Sequence, residues 1–188
     1  MAESPHGIPW SPRSARLIAA FDTNAPGYDL VLLAHVLSAV VATVAVVLAG
    51  GAALTLRRAL DATDAGPVSE WLLRYYRPGV NWLGRMLFLV PVLGVALVGM
   101  SAGHWDFADS WVSVGLLLWA VVAVVAEIAL WPAERRLQQA VEAQGNPGVG
   151  RDPDDAIDPA RLCLRAGVVG LGLGVVLVAV SALMVAKP

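Results

Sequence analysis

The chain has 188 residues, 57% of them hydrophobic and only 15% charged, with a net charge of −2. An average soluble domain carries about 25% charged residues, so this composition argues against one, and the slight acidity offers no surface for nucleic acid. The single cysteine, Cys163, excludes an internal disulfide and any CxxC metal or redox motif.

Residues 1–29 hold Pro5, Pro9, Pro12 and Pro26. They lack the long apolar core of a signal peptide, so an extracytoplasmic tail is expected. Within it Ser14–Phe21 can form a short helix on the membrane surface, or remain a partly ordered tail.

Four long apolar stretches follow: 30–56, 86–103, 111–131 and 166–186. Each matches or approaches the roughly 20 residues that a helix needs to cross a bilayer. Together they leave no room for a soluble domain of about 100 residues. The expected fold is therefore an all-α membrane protein, one four-helix transmembrane bundle over residues 30–186, in keeping with the mean hydropathy of +0.66.

The first span is long enough to tilt or to pass the interface, and Asp29 can cap its start. Between the first two spans, Pro67–Arg77 places Val68, Trp71, Leu72 and Tyr75 at helical spacing. Tryptophan and tyrosine favour the headgroup region, so a short interfacial helix is expected there. Pro91 should kink the second span. The third span runs on into residues 132–143, either as an extension or as a new helix starting at Pro132. Residues 144–159 are turn-rich and acidic and read as a solvated loop. Its aspartates lack the spacing and closing glutamate of a calcium loop.

Positive residues set the orientation. Ten of the 13 lysines and arginines fall in the first and third connections, five in each, and none in the second. Those two connections should be cytoplasmic, and both termini should lie outside. Twelve of the 13 are arginine, and with spans rich in Ala, Val, Gly and Leu this associates the chain with high-GC bacteria. The bacterial cytoplasmic (inner) membrane is the expected location.

Small residues recur at four-residue spacing: Ala166, Gly170 and Gly174; Gly99 and Gly103; Ala34, Ser38 and Ala42; Ala45, Ala49 and Ala53. Such stripes let helix backbones approach closely. They suit either a compact bundle or a face that docks a partner subunit or a second copy.

Ionisable groups in a bilayer are costly and invite a functional reading. Glu127, Arg85 and Arg165 share one depth, which predicts an interhelical ion pair fixing helix register, or alternatively part of a proton or ion relay. Toward the opposite side, His35, Met100 and His104 form a candidate metal site, with Met184, Asp106 and Asp109 nearby. Imidazole with thioether suits copper, and two histidines can hold a haem iron. A hydrogen-bonding role for His35 and an interfacial one for His104 are the structural alternatives.

The segments LLAHVLSAVVATVAVVLAGG, NWLGRMLFLVPVLGVALVG and LLLWAVVAVVAEIALWPAERRL resemble those of predicted bacterial integral membrane proteins of unknown function, akin to CopD-type copper-resistance membrane proteins. The first-span histidine is also similar to that of the HemJ-type membrane protoporphyrinogen oxidase. The resemblance covers about residues 29–140. It implies a four-helix bundle without an established reaction, and it marks His35 as a candidate copper contact. The oxidase's further polar residues have no evident counterparts here. These features favour a non-catalytic accessory or assembly subunit of a larger membrane complex. A copper- or haem-handling protein comes next, then a transporter and a transmembrane enzyme.

Overall fold

A computed structural model describes residues 26–61, 69–145 and 158–186. The expected surface helix at Ser14–Phe21 and most of the acidic tract lie outside them. Among the described residues the chain is entirely helical, and four helical stretches are long and apolar enough to cross a membrane.

The first helix, α1, covers Pro26–Asp61. It starts four residues earlier than the apolar pattern suggests, because proline fits the first turn of a helix. Asp29 lies inside that turn, where it favours the helix dipole. At 1.5 Å per residue its 36 residues reach about 54 Å, well past a ~30 Å hydrocarbon core. A short helix, α2 (Glu70–Tyr75), occupies the first connection.

The second span is assembled from α3 (Trp82–Arg85), a single 3₁₀ turn (Met86–Phe88) and α4 (Leu89–Met100). Asn81 caps its start by accepting the Gly84 N–H at 3.2 Å. Pro91 has no N–H to give the carbonyl four residues before it, that of Leu87. The Trp119 indole donates to that carbonyl instead, at 3.0 Å. Thus the third span repairs the defect that proline makes in the second.

The third span is α5 (Ser110–Val125), a π-helical turn (Ala126–Leu130) and α6 (Trp131–Gly145). It runs on as an extension, with no break at Pro132. A wider turn immediately upstream relieves the clash between the proline ring and the preceding turn. The last helix, α7, covers Pro159–Ala186. It too starts on a proline, and Asp158 caps it by accepting the Ala160 N–H at 3.0 Å.

Helix α1 is central and packs most closely on α7. A Cβ at Gly170 would lie 2.8 Å from the Gly50 Cα, and one at Gly50 would lie 2.9 Å from the Leu171 nitrogen. Only glycine allows these backbones to meet. Ala166, Gly170 and Gly174 are all buried, as are Ala45, Ala49 and Ala53. Those two stripes therefore serve the bundle itself. A Cβ at Gly99 would meet nothing within 4 Å, so that stripe makes no close helix crossing.

Two apolar clusters result. One lies at mid-span, around Val46, Leu87, Val122 and Leu177. The other lies at the end that carries the arginines, where Leu72 and Tyr76 pack on Leu56, Leu137 and Cys163. Large apolar side chains such as Leu30, Val92, Leu117 and Val175 point outward, as expected where lipid is the solvent.

Candidate functional site at the arginine-rich end

The third span is 22 residues long from Ser110 to Trp131, or about 33 Å. That places Trp131 at the edge of a ~30 Å hydrocarbon core. Trp82, 76% exposed at the start of the second span, marks the same level. The polar residues of the arginine-rich end are gathered just at and beyond this boundary.

Glu134 is 7% exposed although it lies only one turn past Trp131. Its Oε1 accepts the Tyr75 hydroxyl and the Asn81 side-chain amide, each at 3.1 Å. Its Oε2 has no hydrogen-bond partner among the described residues. One carboxylate thus ties α2 and the start of α3 to α6. Burial raises the Tyr75 pKa above its ordinary value, and the charge of Glu134 raises it further. Tyr76, packed edge-on to Tyr75 with centroids 5.1 Å apart, is raised by burial first and by Tyr75 next.

A turn deeper, Arg85 donates from Nη1 to Glu127 Oε1 at 3.2 Å. Its guanidinium lies 3.9 Å from the centroid of the Trp131 ring. The π-helical turn contains Glu127 and precedes Trp131, so it sets how both present themselves to Arg85. Arg165 is exposed and forms no ion pair among the described residues.

Between these two networks is a cavity of about 50 Å³, lined by Asn81, Arg85, Trp131, Glu134, Arg135 and Gln138, with Gly79 and Val80 at its rim. A space of this size holds a water or a small polar group.

The opposite end is organised differently. His35 donates from Nδ1 to the Val90 carbonyl at 2.9 Å, joining α1 to α4. Gly94 makes room for the ring: a Cβ there would lie 3.2 Å from His35 Cε1. The Met100 methyl lies against Gly27. Gly27 precedes His35 by eight residues, about 12 Å along the helix, so His35 and Met100 occupy different levels. His104 is exposed and meets the Trp105 ring edge-on at 4.6 Å. The Met184 methyl is seated against Gly115 on α5.

Asp106 and Asp109 accept backbone N–H groups of the turn that starts α5, at 2.8 and 2.9 Å. Among the described residues no three His, Cys, Asp or Glu side chains are grouped so as to hold a metal ion. His35, Met100 and His104 are not joined by any hydrogen bond or ring contact there.

The Tyr75–Asn81–Glu134 network was not singled out from the sequence. A usable signal existed. Leu130, Ala133, Leu137 and Val141 keep an apolar stripe running beyond the span, and Glu134 sits beside it. A carboxylate next to an apolar stripe needs partners.

No curated protein and no solved structure matches the chain. The family model described as predicted integral membrane protein (DUF2269) matches residues 29–188. With four spans, an interfacial aromatic boundary and a match over most of its length, this chain is an integral membrane protein and belongs to that family.

Proposed function

We propose that the protein is a non-catalytic subunit that accompanies or assembles a larger bacterial membrane complex. The observation that carries this reading is how the buried polar groups are used. Glu134 is engaged by Tyr75 and Asn81, and Ser38 and Ser101 each donate to a carbonyl of their own helix. No nucleophile and base are paired among the described residues, and no polar chain crosses the span. The second span adds a surface: only 11% of its most apolar window is buried within the chain.

The arginine distribution supports a topology with the first and third connections in the cytoplasm of a bacterial inner membrane and both termini outside. Native mass spectrometry of the protein purified from its own membrane in mild detergent tests the role. Co-purifying membrane subunits are expected; a chain that always emerges alone would sink it.

A second reading, copper or haem handling at His35, Met100 and His104, draws on one feature. The Nδ1 bond to Val90 orients the His35 ring and leaves Nε2 as its free donor atom. This confines the reading to His35 with ligands other than Met100. Under it, His35→Ala should abolish co-purifying copper or haem. Under the subunit reading, the same variant keeps its partners.

A further inference from the structure

We infer that the cavity beside Glu134 takes the ammonium end of a phosphoethanolamine group, the headgroup of a zwitterionic membrane lipid, with the phosphate outside it against Arg135. Three observations converge on it. The first is charge. Arg85 faces Glu127, whereas Arg135 has no ion-pair partner among the described residues. The cavity thus presents one buried carboxylate and one free guanidinium, so a ligand with one charge of each sign suits it better than a simple anion or cation.

The second is an unpaired acceptor. Glu134 is more than nine-tenths buried and lines the cavity, and its Oε2 takes no hydrogen bond from the described residues. That oxygen is not sealed from solvent, so a further donor can still reach it. A primary ammonium supplies the donor and the opposite charge together. The Arg135 side chain is exposed on the same cavity wall, where it can meet a phosphate.

The third is depth. The cavity lies between Trp131, at the hydrocarbon edge, and Gln138, two turns beyond. Exposed Val80 lines it, and exposed Trp82 and Leu83 follow directly in the chain. This is headgroup level, with an apolar surface beside it for acyl chains.

The test is lipid retention by the full-length protein in native mass spectrometry. It is exchanged in mild detergent against equal amounts of phosphatidylethanolamine, phosphatidylcholine and phosphatidylglycerol with identical acyl chains. The expected result is retention of phosphatidylethanolamine about tenfold over the other two, the scale of one charge-assisted hydrogen bond. Choline has no N–H to donate, and phosphatidylglycerol has no cation.

Glu134→Gln keeps an acceptor for Tyr75 and Asn81 and should erase the preference over phosphatidylcholine. Arg135→Gln, a change at an exposed position that leaves the fold intact, should weaken both zwitterionic lipids together. Equal retention of the three lipids by the wild type, or an unchanged preference in Glu134→Gln, overturns the proposal. Soluble phosphoethanolamine is the last arm. If it displaces the lipid, the same chemistry is supported with a soluble source; if it does not, the bilayer is supported as the source.

Discussion

The two ends of the bundle are built on different logic. At the arginine-rich end, side chains from separate elements bond one another: Tyr75 and Asn81 to Glu134, Arg85 to Glu127 and over Trp131. At the opposite end, polar side chains mostly serve their own turn. Ser101 bonds Val98 and Trp105, and Asp106 and Asp109 bond the loop between them. His35 is the exception, reaching across to Val90. The difference follows from where each end places its chain. The arginine-rich end extends past the membrane, where burial in water again drives packing and side chains can knit a second core. Inside the span, lipid removes that drive, and close backbone approach takes its place.

The sharpest way to break the comparison is at the crossing both ends share. Gly170→Leu would force a side chain into the Gly50 backbone. It should cost about 3 kcal/mol, the upper end for overpacking, read as a lowered melting temperature in detergent. Gly172→Leu, two residues away where nothing lies within 4 Å, should change stability by less than about 0.5 kcal/mol. Equal effects would show that α1 and α7 do not meet through this stripe.

Next in size is Glu134→Ala. It removes the shared acceptor of Tyr75 and Asn81 and should destabilise by about 1–3 kcal/mol. Protease cleavage should then appear in the first connection, around Glu70–Tyr75, before the spans unfold. A melting curve and cleavage pattern like the wild type's would demote the network to decoration.

The same end should respond to alkali. Burial holds Tyr75 and Tyr76 protonated in the folded state beyond their ordinary range. The unfolded chain loses those protons from about pH 10. Above that the folded state binds more protons, so stability falls with rising pH, by at most about 1.4 kcal/mol per unit for each tyrosine. Below pH 10 the contribution is complete and flat. Melting temperatures from pH 8 to 11.5 check this, and Tyr75→Phe should soften the decline.

Much of this was legible in the sequence, for uneven reasons. The four spans and the proline at position 91 follow from hydropathy and from proline's missing N–H, which act locally. Helix ends were misjudged wherever a proline starts a helix outside the apolar run, as at Pro26 and Pro159. Partners across helices were not readable. The stripe containing Gly170 could equally have faced another protein, and nothing local shows that Gly50 opposes it. Glu134 escaped for the same reason: its burial depends on α2 folding back over α6, a long-range event. His35, Met100 and His104 share an end of the bundle, but helical rise sets His35 and Met100 at different levels.

The smallest effect concerns Glu127. Its bond to Arg85 spans 42 residues of chain and sits beside the π-helical turn, which suggests importance. Exposure argues otherwise, with side chains 30% and 47% exposed for Arg85 and Glu127. Partly exposed pairs contribute about 0–1 kcal/mol, and Arg85 keeps its contact with Trp131 when the carboxylate is lost. Glu127→Gln should therefore lower the melting temperature slightly, and less than Glu134→Ala. Unchanged stability would sink the pairing as a structural tie. A loss larger than that of Glu134→Ala would reverse the order of the two networks and move the main tie of this end from the water side into the membrane edge.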